Sequence, residues 1–96
     1  MTLVLIPAYK PDARLVTLCR ELLDAGLSVL VVDDGSGPDF LPIFEDVQLL
    51  GCHVERHAVN LGKGRALKTG INAAMNRYPD LAGLVTADAD GQHTCK

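Results

Sequence analysis

The feature that most restricts the fold is a strand-sized apolar run, a helical stripe and a second apolar run, all within the first third of the chain. Leu3-Val4-Leu5-Ile6 is short, continuous and stopped by Pro7, the pattern of a strand buried on both faces. Asp12 suits a helix N-cap. After it Leu15, Leu18, Cys19, Leu22 and Leu23 recur at helical spacing, and Gly26 supplies the stop. Ser28-Val29-Leu30-Val31-Val32 is the second apolar run. Strand, helix and strand within about 30 residues make a βαβ unit with parallel strands and a right-handed crossover. Open sheets of this kind bind ligands beyond the carboxyl ends of their strands. Pro7-Ala8-Tyr9 and Asp33-Asp34-Gly35-Ser36-Gly37 both fall there.

The remaining chain repeats the alternation. Residues 38–50 predict a second helix with Phe40, Ile43, Phe44, Val47 and Leu50 on its apolar face, and Pro42 blurs its start. Cys52-His53-Val54-Glu55-Arg56-His57 predicts a third strand, polar enough for a sheet edge. Its His53, Glu55 and His57 alternate onto one face, which is either a solvated edge or a zinc site. Asn60-Leu61-Gly62-Lys63-Gly64-Arg65 then opens onto a helix whose expected apolar face is Leu67, Gly70, Ile71, Ala74, Met75 and Tyr78. Glycines allow a backbone to approach an anion closely, and a helix start attracts one. Lys63 and Arg65 oppose the macrodipole there, a placement that makes sense beside an anion. The same stretch imitates a dinucleotide fingerprint, Gly62-x-Gly64-x-x-Leu67, but lacks the third glycine and follows the third strand rather than the first.

Residues 81–87 predict a fourth strand that runs into Asp88-Ala89-Asp90-Gly91-Gln92-His93. Period-2 alternation points Asp88 and Asp90 the same way. Paired hard oxygen ligands suit Mg²⁺ or Mn²⁺, which in turn holds the phosphates of a substrate. A solvated turn explains Asp-x-Asp equally well when it is taken alone. Three earlier stretches that converge on the same chemistry give it weight.

Composition narrows the classes. Ninety-six residues make one small domain, and 48% hydrophobic content is enough for a packed core. A net charge of −3 gives no basic field, so nucleic acid is not an expected partner. Cys19, Cys52 and Cys95 are odd in number and form no C-x-x-C pair, which fits free thiols in a reducing, cytoplasmic setting. The first apolar run is too short for a signal-peptide core or a membrane span. The most chemical stretch lies close to the last residue, so the expectation is a truncated domain, residues 1–96 being its ligand-binding half.

Taken in order, the strand into Pro7-Ala8-Tyr9, Val31-Val32-Asp33-Asp34-Gly35-Ser36, Asn60-Leu61-Gly62-Lys63-Gly64 and Asp88-Ala89-Asp90-Gly91-Gln92-His93 resemble the N-terminal half of a family 2 glycosyltransferase. The nearest likeness is to the dolichol-phosphate mannose synthase-like branch. The resemblance implies a GT-A fold: a Rossmann-like parallel α/β sheet, strand order 3-2-1-4, flanked by helices. It implies a nucleotide-diphospho-sugar donor, with a UDP or GDP moiety, and a polyprenyl phosphate acceptor. Pro7, Ala8 and Tyr9 would line the nucleoside pocket. One carboxylate of Asp33 and Asp34, Asp34 in preference, would meet the base or ribose. Gly62, Lys63 and Gly64 would lie near the base and phosphates. Asp88 would contact the nucleotide, and Asp90 and Gln92 would hold Mg²⁺ or Mn²⁺.

Two departures stand out. Lys10 occupies a loop position that is acidic in many members, and the later acidic catalytic base has no counterpart here, so no catalytic residue is assigned within these 96 residues. The expected parent associates with the cytoplasmic face of a membrane, and the exposed fourth-strand edge is expected to drive self-association. A metal-dependent nucleotidyltransferase and a receiver-like signalling module are the competing readings of the same carboxylates.

Overall fold

A computed structural model of the chain describes residues 1–89. The elements run β1 (Thr2–Ala8), α1 (Ala13–Asp24), β2 (Ser28–Asp34), α2 (Leu41–Leu50), β3 (His53–His57), α3 (Lys63–Arg77) and β4 (Gly83–Thr86). The four strands form one sheet in the order β3-β2-β1-β4, as the resemblance implied. Every pairing is parallel. Leu3 stands beside Ser28 and Ala8 beside Asp33. Leu30 stands beside His53 and Asp34 beside His57. The carboxyl ends of the strands therefore share one edge.

The two central strands are apolar throughout because both of their faces are covered. Alternation sorts them into two cores. Val4, Ile6, Ala8, Val29 and Val31 face α1 and α2, meeting Leu15, Leu18, Cys19, Phe44 and Val47. Leu3, Leu5, Leu30 and Val32 face α3, meeting Ala66, Ala73 and Ala74. Each fully buried aliphatic side chain contributes roughly 1.5–3 kcal/mol relative to exposure, so this double layer is the main stabilising term. Cys19 and Cys52 are free, buried thiols within it. The neighbouring Cys52 sulfur and burial both push the Cys19 thiol up, which keeps it protonated and unreactive.

Local chemistry sets the element ends. The Asp12 side chain accepts from the Arg14 backbone N–H at 2.9 Å and caps α1. Gly26, at φ 84°, lets the chain leave α1. The expected single helix over 38–50 is instead a 3₁₀ turn at Pro38–Phe40 followed by α2. Pro42 falls in the first turn of α2, where its missing N–H has no intrahelical partner to lose. β4 is shorter than the expected 81–87.

The face of α3 needs correction. Gly70, Ala74 and the neighbouring Ala66 and Ala73 are buried, with Leu67 and Tyr78 packed partly against them. Ile71 and Met75 are exposed, at 40% and 70%. The helix lies so close to the sheet that a Cβ on Gly70 would overlap the Leu5 side chain. Small residues fit that gap and large ones do not. Among the described residues no helix is long and apolar enough to cross a membrane.

Candidate functional site

Four segments meet at the carboxyl edge of the sheet and enclose a cleft of about 260 Å³. β1 brings Pro7, Ala8 and Tyr9, and β2 brings Asp34. The loop before α3 brings Asn60, Gly62 and Lys63, and the segment after β4 brings Asp88. Two expected residues are not among its walls. Gly64 sits inside the first turn of α3. Asp33 lies one residue from Asp34 and so points to the other face of the sheet. There it borders a separate hollow with Arg56 and Pro38.

Asp33 serves the loops. Its Oδ1 accepts from the Ser36 backbone N–H at 3.0 Å, and its Oδ2 accepts from Arg56 Nε at 3.1 Å. Ser36 Oγ accepts in turn from the Lys10 backbone N–H at 2.9 Å. Lys10 has φ 47°, a left-handed conformation that costs a non-glycine residue about 1–3 kcal/mol. The Ser36 contact holds the turn after Tyr9 in that shape. The Lys10 ammonium lies 5.4 Å from the centre of the Tyr9 ring, which is half exposed at the mouth of the cleft.

Asp34 is the hub of the site. Its Oδ1 accepts from His57 Nδ1 at 2.8 Å and from the Leu61 N–H at 2.9 Å. Its Oδ2 accepts from Asn60 Nδ2 at 3.1 Å and from the Gly62 N–H at 2.9 Å. A carboxylate offers about four lone-pair positions, and all of them are occupied. Burial pushes this carboxyl up, but the His57, Leu61 and Gly62 donors outweigh it and hold Asp34 below the usual carboxylate range. The same carboxylate stands at the amino end of α3, where negative charge is favoured.

Glycine geometry makes this loop possible. Gly62 has φ 98° and precedes α3. Gly35, at φ 72°, lies against the backbone of Val59 and Asn60 so closely that a Cβ would overlap it. Across the cleft Lys63 Nζ donates to Asp88 Oδ1 at 3.2 Å. Both side chains are solvated, at 67% and 36% exposure, so the pair contributes at most about 1 kcal/mol and separates easily. A phosphate arriving between them meets a free ammonium, and a cation meets the carboxylate.

Asp90 and Gln92 lie outside the described residues. Asp88, at the end of the same segment, presents carboxylate oxygen at the cleft, the donor type that Mg²⁺ and Mn²⁺ prefer. The zinc alternative on β3 does not form. His53 Nε2 contacts Glu55 Oε2 at 3.2 Å, while both nitrogens of His57 are engaged by Asp34 and Thr69. No group of three His, Cys, Asp or Glu side chains among the described residues could hold a metal ion. Asn60 and His57 are the site residues that pattern reading missed. Asn60 lay within a recognised motif, but its contact with Asp34 depends on the loop's path. His57 stands beside Asp34 through the β2–β3 register, which one sequence does not disclose.

Comparison with known proteins shows the chain's family and its fold. The family described as Glycosyl transferase family 2 matches residues 3–95. The chain is similar to Uncharacterized protein MJ1222 of Methanocaldococcus jannaschii, with 35% identity over 91 residues, covering 94% of this chain and 35% of that protein. It is also similar to Uncharacterized protein MJ0544 of the same organism, with 26% identity over 96 residues, covering 95% and 41%. The chain therefore spans less than half the length of either curated relative. Among solved structures it resembles S. aureus TarS 1-349 at a TM-score of 0.64 and 20% identity, covering 93% of this chain and 27% of that one. That likeness shows the fold, the Rossmann-like N-terminal half of a GT-A domain.

Proposed function

Because the chain belongs to glycosyl transferase family 2, we propose that its cleft binds the nucleoside diphosphate portion of a nucleotide-sugar donor. The observation that carries this reading is the meeting of Pro7, Ala8, Tyr9, Asp34, Gly62, Lys63 and Asp88 in one cleft, although they are spread over most of the chain. Tyr9 offers an aromatic surface to the base. Lys63 offers a positive charge to the diphosphate, and Asp88 contacts the nucleotide. Asp34 shapes the pocket wall, since its lone pairs are already taken. Asp90 and Gln92 would hold Mg²⁺ or Mn²⁺, and the ion's role is to neutralise the diphosphate leaving group.

The reaction we propose for the complete protein is attack of an acceptor oxygen at the sugar C1 with inversion, the nucleoside diphosphate leaving on the opposite side. Its acceptor is a polyprenyl phosphate, a reading supported by the order of the four motifs, and its setting is the cytoplasmic face of a membrane. No residue of the described cleft is assigned the role of general base. Catalysis needs attacker and donor held in line, worth roughly 7–11 kcal/mol of barrier. The 96-residue chain is accordingly expected to bind donor nucleotide without transferring sugar.

Calorimetry with UDP and GDP in the presence of Mn²⁺ tests the reading. Saturable binding that is lost in Asp90→Ala and weakened in Lys63→Ala is expected, with no saturable binding of NAD. Equal affinity of Asp90→Ala and the parent would remove the metal assignment, and tight NAD binding would restore the dinucleotide alternative. Release of pyrophosphate from a nucleoside triphosphate would favour a nucleotidyltransferase. Phosphorylation of an Asp by a small phosphodonor would favour the receiver-like module.

A further inference from the structure

His57 has no assigned part in the proposed donor site, yet it is the most enclosed histidine on β3. Its side chain is 8% exposed and that of Asp34 is 5% exposed. Its Nδ1 meets Asp34 Oδ1 at 2.8 Å, and its Nε2 meets Thr69 Oγ1 at 2.8 Å. An ionised carboxylate only accepts, so Nδ1 carries a proton. The Thr69 hydroxyl can donate or accept, so it braces Nε2 in either state, while Asp34 fixes the proton on Nδ1.

The consequence reaches the cleft through Asp34. Its Oδ1 accepts from both His57 Nδ1 and the Leu61 N–H, and its Oδ2 accepts from Asn60 Nδ2 and the Gly62 N–H. Asn60 Nδ2 also donates to the Asp34 backbone carbonyl at 3.1 Å. Without a donor at Nδ1, a buried carboxylate oxygen loses one of its two partners and the group is free to turn. Turning it misplaces the acceptors of Leu61 and Gly62. Asn60, Gly62 and Lys63 line the cleft, so that side of the pocket moves with them.

We propose that His57, braced at Nε2 by Thr69, is a positioning residue whose Nδ1–H orients Asp34 and through it the 60–62 loop of the nucleotide pocket. The effect on the loop stands on geometry alone. The effect on ligand affinity rests on the donor-site reading given above.

The experiment uses the whole 96-residue chain. Nitrogen-15 spectra of the imidazole should report a proton on Nδ1. His57→Asn places an amide N–H near the Nδ1 position, whereas His57→Gln places it near Nε2. Amide exchange at Leu61 and Gly62 should quicken about tenfold in His57→Gln, the scale of one lost hydrogen bond to a charged group. His57→Asn should recover most of that protection. Thr69→Val should loosen the ring in a chain that still folds and quicken exchange at the same two amides, and Thr69→Ser should restore their protection. UDP or GDP affinity with Mn²⁺ should fall in the same order, by about tenfold in His57→Gln. A ring without a proton on Nδ1 in the parent, or unchanged Leu61 and Gly62 protection in His57→Gln, overturns the inference. If the parent binds no nucleotide while exchange follows the predicted order, the donor-site reading fails and the positioning role stands.

Discussion

Asp33 and Asp34 are neighbours of one chemical type in one strand, and their environments give them different work. Asp33 fastens Ser36 and Arg56 on one face, and Asp34 gathers the 60–62 loop on the other. An acidic pair beyond a buried strand was legible as a feature of the ligand edge. The resemblance preferred Asp34, which does line the cleft, but the residues alone did not choose between the two, because that depends on how far β2 keeps its pleat. The depressed titration of Asp34 has a definite sign. A folded-state pKa below the unfolded value, near 3.9 for Asp, gives stability that is complete above that pH and is lost as pH falls through the folded value. Asp34→Asn should therefore unfold at lower urea than the parent at pH 7, and the gap should shrink by pH 3. A constant gap would mean that charge is not what matters there. Gly35→Ala adds a Cβ where Val59 and Asn60 already lie. Overpacking of about 1–3 kcal/mol should lower its thermal midpoint and weaken nucleotide binding together.

At the level of elements, α3 shows where pattern reading fails and why. The expected stripe was right in Gly70 and Ala74 and partly in Leu67 and Tyr78, but it took in Ile71 and Met75 where the sheet accepts Ala66 and Ala73. Hydrophobicity scales weight size, whereas a helix pressed close to a sheet selects for its absence. The other helices were legible because Leu15, Leu18, Phe44 and Val47 fill a wider gap and carry their own periodicity. Gly70→Ala tests the distinction. Alanine gains about 0.5–1 kcal/mol of helix stability over glycine, but its methyl overlaps fully buried Leu5, an overpacking that costs about 1–3 kcal/mol. The second effect should win, and chemical denaturation should show a net loss of about 1–2 kcal/mol. Met75→Lys should stay within about 0.5 kcal/mol of the parent. A large loss there would restore Met75 to the core.

For the molecule as a whole, the sheet has β3 and β4 at its two margins. β3 carries His53, Glu55 and Arg56, which discourage pairing with another chain, whereas β4 offers Leu84 and a 53% exposed Val85. Light scattering should therefore show a mass above that of the monomer that rises with concentration, and Val85→Lys should lower it. A clean monomer at high concentration would show that the β4 margin is inert. The strand order also sets a timetable. Thr2 pairs with Gly83, so β1 meets its second neighbour only after about 80 further residues have been made. At about 5–20 residues per second that delay is roughly 4–16 s, far longer than the sub-second folding common for mixed α/β domains of this size. Through that interval one side of β1, an inner strand of the sheet, stays unpaired, and the docking of β4 is set by the pace of translation.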